Sequence, residues 1–132
     1  MKIDDVRELF TIADQDFASA VFLTKMFPQP LENICYLCAQ ATEKYLKGFL
    51  EFHGVIPDKI HNLVKLLESC INIDESFKNI VRECKILNKF KSKIRYDRSI
   101  QVNSDDMNFV LRSTEKIKNL EVLKKIRESV LT

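Results

Sequence analysis

The chain has 132 residues, 45% of them hydrophobic and 30% charged, with a formal net charge of +2. That length suits one domain with its own core, and the charge is too balanced to imply nucleic-acid binding by itself. Only two glycines and three prolines occur, too few to turn the many strands of a β-rich fold, so long helices are expected.

No apolar run approaches the roughly 20 residues that a membrane-spanning helix needs. The opening "KIDDVRELF" is charged and amphipathic rather than an apolar signal region. These features predict no membrane association and a cytoplasmic location. The four cysteines are then expected as buried thiols rather than disulfides.

The first predicted helix covers about residues 3–26. Val6, Phe10, Ala13, Phe17, Ala20, Val21 and Met26 recur at three- and four-residue steps. Asp4 and Asp5 suit its first turn, where the helix dipole favours carboxylates, while Asp14 and Asp16 lie off the apolar stripe. "FPQP" ends the helix, because proline lacks the N–H that continues it.

The second helix is expected over about 31–53. Ile34, Cys38, Ala41, Tyr45, Gly48, Phe49 and Phe52 form its apolar side, and Gly54 is placed as a left-handed C-terminal cap. Cys35 and Cys38 have a metal-like or redox-like spacing. A zinc site needs four ligands, and Cys70 and Cys84 stand isolated. A redox pair belongs at a helix N-terminus, whereas these two lie more than a turn inside. Core packing is the expected role, and no metal or cofactor is predicted. On the polar side, Gln40, Glu43, Lys44, Lys47 and Glu51 share one face, with Glu43–Lys47 spaced as an i,i+4 ion pair.

"VIPDKIHN" reads as a connector, with Pro57 and Asp58 as turn and cap signals. A shorter third helix is expected over about 60–71, with His61 near its start and Ile60, Leu63, Val64, Leu66, Leu67 and Ile71 as its apolar residues. A fourth, about 75–92, carries Phe77, Ile80, Val81, Cys84, Leu87 and Phe90. "KFKSKIRYDR" then places Lys89, Lys91, Lys93, Arg95 and Arg98 among Phe90 and Tyr96. Cations interleaved with aromatic rings can grip phosphates and stack bases. The connection that follows is longer than helix–helix links usually are. Ser104, with Asp105 and Asp106, reads as the N-cap of a last helix over about 105–129, whose apolar face holds Phe109, Val110, Ile117, Leu120, Leu123 and Val130.

The expected fold is all-α: an up-and-down antiparallel four-helix bundle with an extra short helix, five helices in one domain spanning 1–132. No Gly-rich phosphate loop, H-E-x-x-H or G-x-S-x-G motif occurs, and no catalytic residue is assigned.

The ordered set "CAQATEKYLKGFLEFHGVIPDKIHNLVKLL" followed later by "IRYD" resembles the HEPN family (higher eukaryotes and prokaryotes nucleotide-binding domain). The family pattern is an A-x-E-K-x-L-K-like helix, a small turn, an H-[DN]-L helix start and a later R-Y-P. "ADQDFASA" is similar to the family's first helix, so the likeness spans nearly the whole chain. The resemblance implies a helical bundle that commonly dimerises. Many members accompany a minimal nucleotidyltransferase protein in toxin–antitoxin or defence pairs, and others are metal-independent RNases with an R-x4-6-H motif. Carried over by position, the residues of interest are Glu43, Lys44, Lys47, His61, Arg95 and Tyr96. Asp97 stands where the family has proline, and no histidine follows Arg95, so the R-x4-6-H motif is absent. The first reading is therefore a module that binds a nucleotide or a nucleotidyltransferase partner. An RNase with substitute catalytic residues and a structural dimeric adaptor are the alternatives.

Overall fold

A computed structural model of the chain describes residues 2–57, 59–91 and 101–131. Its helices are α1 (Ile3–Leu23), α2 (Leu31–Phe52), α3 (Leu63–Ile73), α4 (Val81–Leu87), α5 (Ser104–Lys118) and α6 (Glu121–Leu131), with 3₁₀ segments at Glu75–Ile80 and Asn88–Phe90. No strand occurs among the described residues. The all-α class holds, with six α-helices among the described residues where five helices were expected.

Helix α2 is the central element and packs against α1, α3, α4, α5 and α6. Its apolar positions Ile34, Cys38, Ala41, Tyr45 and Phe49 are fully buried, as the spacing predicts. Phe49 meets Phe77 edge-on at a centroid distance of 4.5 Å. Helix α1 lies alongside α2 with Val6, Phe10, Ala13, Phe17 and Ala20 turned inward. Gly48 permits this approach, because a Cβ there would stand 3.0 Å from the Phe10 ring. All four cysteines are buried and free, and burial pushes the Cys35, Cys38 and Cys84 thiols up to about 12. A thiolate-dependent redox role for Cys35–Cys38 is therefore disfavoured.

Gly54 closes α2 with φ +76°. Its N–H donates to the Glu51 carbonyl (3.0 Å) and the Val55 N–H to the Leu50 carbonyl (2.9 Å), which is the Schellman pattern.

Other boundaries differ from the sequence reading. Helix α1 stops at Leu23, not near 26, and Val21 (45%) and Met26 (51%) are exposed rather than in the core. Helix α3 starts at Leu63, not at 60. Its N-cap is Asn62, whose side chain accepts from the Val64 and Lys65 N–H groups, and Ile60 is exposed. Asp58, the expected cap, lies outside the described residues. The predicted fourth helix is a 3₁₀–α–3₁₀ succession. Asn103, not Ser104, caps α5, forming a reciprocal capping box with Asp106.

The expected last helix is two helices, broken at Asn119–Leu120. No glycine or proline marks the break. The Asn119 side chain donates to the Glu115 carbonyl (3.0 Å), and Arg127 reaches back to the Lys118 carbonyl (3.5 Å). The turn brings Arg127 over the Phe10 and Tyr45 rings and onto Asp14, with Nη2–Oδ1 at 2.9 Å and Nε–Oδ2 at 3.3 Å. Asp14 also accepts from the Tyr45 hydroxyl. Burial first, then this neighbouring carboxylate, push the Tyr45 phenol well above its usual range.

Candidate functional site

The polar stripe of α2 does not face open solvent along its length. Glu43 is only 6% exposed, because the residues before α3 and the end of the Asn88–Phe90 segment close over it. A buried carboxylate needs compensating partners, and Glu43 has three. Lys47 Nζ lies 2.8 Å from Oε2, His61 Nδ1 lies 3.0 Å from the same oxygen, and Lys91 Nζ donates to Oε1. Burial alone would raise the Glu43 carboxyl. The hydrogen bonds from Lys47, Lys91 and His61 outweigh it and hold the carboxyl down at about 2. Burial lowers the Lys91 ammonium from its ordinary value, with Glu43 opposing the effect.

His61 Nδ1 lies 3.0 Å from Glu43 Oε2 and 3.3 Å from Lys47 Nζ: it donates to the carboxylate when it carries the proton and accepts from the ammonium when it does not. The histidine side chain is 67% exposed.

One turn away, Lys44 donates to Asp16 of α1 (3.0 Å) and to Gln40 Oε1 (3.3 Å), and Gln40 Nε2 donates to the Lys91 carbonyl (3.4 Å). The cleft between these groups holds about 680 Å³ and is lined by Gln40, Glu43, Lys44, His61, Asn62, Asn88 and Lys91. Asn62 Oδ1 is spent on backbone N–H groups of α3, and Asn88 Oδ1 accepts from the Leu63 N–H (2.9 Å). Each asparagine keeps its NH₂ for the cleft. The carboxylates are engaged, so the remaining capacity is mainly donor: ammonium and amide hydrogens, with His61 Nε2 beside them. Three lysines face two carboxylates here. Such a surface suits an anion with several acceptor oxygens.

The structure thus brings Glu43, Lys44, Lys47 and His61 together. Arg95 and Tyr96 lie outside the described residues. Lys91, Asp16, Asn62 and Asn88 join the site without having been singled out. Lys91 belonged to a run of similar cations, and nothing local distinguishes it from Lys89. Asp16 was legible only as an acid off an apolar stripe. Among the described residues no group of three or more histidine, cysteine or acidic side chains is arranged to hold a metal ion, and no helix is long and apolar enough to cross a membrane.

These features define a class: an all-helical bundle whose central helix carries a cation-lined cleft around a buried glutamate. The family model for the HEPN domain matches residues 6–126, and the chain belongs to that family. No curated protein and no solved structure matches it.

Proposed function

We propose that this HEPN module binds the phosphate of a nucleotide in the Glu43 cleft. One observation carries the reading: Glu43 holds Lys47, Lys91 and His61 in place while the free hydrogen-bonding groups around it are chiefly donors. The glutamate positions the cations, so their ordering is complete before the ligand arrives, which favours affinity. Lys44 and Lys91 meet the phosphate oxygens, and the amides of Asn62 and Asn88 add neutral donors. Arg95 and Tyr96 remain in the proposal through the resemblance, the arginine as a bidentate phosphate ligand and the tyrosine as a stacking surface. By the same resemblance the module works as a homodimer, and the cytoplasmic location expected from the sequence remains part of the proposal. Its partner is a minimal nucleotidyltransferase protein, in a toxin–antitoxin or defence pair.

Calorimetric titration with AMP, ATP and a short RNA tests this. Heat is expected with at least one of them, with affinity at least tenfold lower in Lys44→Ala/Lys91→Ala. No heat from any ligand, together with no nucleotidyltransferase captured in pull-downs, would leave the structural-adaptor reading.

The His61 geometry favours a second reading, a metal-independent RNase. In the tautomer that donates to Glu43 through Nδ1, His61 would take the proton of a ribose 2′-hydroxyl at Nε2 as the 2′-oxygen attacks the phosphorus. The P–O5′ bond breaks to leave a 2′,3′-cyclic phosphate, and the 5′-oxygen takes a proton from the protonated histidine or a lysine, with a lysine or Arg95 stabilising the phosphorane charge. Cleavage of a labelled RNA in EDTA that disappears with His61→Ala supports it. Cleavage unchanged by both His61→Ala and Arg95→Ala refutes it.

A further inference from the structure

A second groove lies on the outer face of the Glu75–Ile80 segment and α4. It holds about 610 Å³, and its lining includes Lys78, Val81, Arg82, Glu83, Lys85 and Ile86. Lys78, Arg82 and Lys85 all line it, so its charged lining is chiefly cationic. Lys85 and Lys89 form no ion pair among the described residues. Lys116 of α5 fixes one wall by donating to the Asn79 carbonyl (3.0 Å) and to Glu83 (2.9 Å). Between the charges, Val81 and Ile86 are half-buried against the core and leave an aliphatic floor.

We propose that this groove receives an acidic amphipathic helix of a partner protein, its carboxylates along Lys78, Arg82 and Lys85 and its apolar side on Val81 and Ile86. The occupant follows from charge complementarity and from the floor. Lys78, Arg82 and Lys85 line the groove against one lining carboxylate, Glu83, which Lys116 already pairs, while Lys78 also contacts Glu75 (3.4 Å). A helix presenting carboxylates three and four residues apart can set them against Arg82 and Lys85, which lie three apart on α4. A nucleic-acid strand fits less well. It gains from exposed aromatic faces, and the nearby aromatic ring, Phe109, is covered by the Arg82 guanidinium at 5.2 Å. A nucleic-acid strand would also leave the aliphatic floor of Val81 and Ile86 unused.

The test uses the whole protein and three labelled probes: a 14-residue Glu/Leu amphipathic peptide, a Glu/Ser peptide of equal charge, and a 12-nucleotide oligouridylate. Fluorescence anisotropy gives affinity, and amide chemical shifts locate the site. Saturable binding of the Glu/Leu peptide with shifts at Val81 and Ile86 is expected. Affinity should be at least tenfold lower for the Glu/Ser peptide and in Lys85→Glu, but unchanged in Lys125→Glu on α6. Equal binding of the two peptides, or an equal loss in Lys125→Glu, would reduce the effect to unspecific charge attraction and overturn the proposal. Tighter binding of the oligouridylate in the same groove would overturn it in favour of a nucleic-acid track.

Discussion

Glu43 shows how one residue can be a structural liability alone and an organiser in context. Its carboxylate is buried, yet three donors keep it ionised with its pKa near 2 rather than the ordinary 4.5. In the unfolded chain the group binds its proton at higher pH than in the fold. The stability it contributes is therefore fully present above about pH 4.5 and is lost as pH falls from there toward 2. Replacing it with glutamine removes the negative charge and one of the two accepting oxygens while leaving Lys47 and Lys91 buried. Glu43→Gln should lose about 3 kcal/mol at pH 7 and flatten the acid limb of stability between pH 4.5 and 2. Urea denaturation across pH checks both. A variant with the wild-type acid limb would show that Glu43 is not held as described.

At the scale of the element, legibility depended on whether a signal was local. The core faces of α1 and α2 were readable because periodicity reports burial directly: Val6, Phe10, Tyr45 and Phe49 are all buried. The end of α2 was readable because only glycine takes a left-handed backbone without strain, and Gly54 has φ +76°. A methyl group there meets nothing within 4 Å, so Gly54→Ala should cost about 1 kcal/mol from the backbone alone, measurable as a fall in Tm. A neutral or stabilising result would contradict the assigned cap. The break between α5 and α6 was not readable, because it relies on Arg127 and on side-chain bonds of Asn119 rather than on a breaker residue. The start of α3 was misplaced because Ile60 continues the apolar pattern, while Asn62 makes the cap hydrogen bonds. The candidate site was half legible for the same reason. The stripe on α2 follows from helix geometry, but Lys91 and Asp16 reach it only through tertiary packing.

For the molecule as a whole, the central helix does two jobs. One side of α2 supplies much of the core, and the other meets residues from three further parts of the chain: Asp16 of α1, His61 ahead of α3, and Lys91. Folding itself thus assembles the cleft, and the Arg127–Asp14 contact ties the last helix to the same scaffold. The charge arrangement would make the proposed anion binding dependent on ionic strength, since partly exposed lysines attract an anion less as salt rises. The most direct measurement is a two-dimensional ¹H–¹⁵N NMR titration of the protein with AMP at low salt. The account predicts saturable shifts at Gln40, Lys44, His61, Asn62, Asn88 and Lys91, the residues that line the cleft, weakening as salt is added. Shifts confined to other surfaces, or none at millimolar AMP, would contradict it.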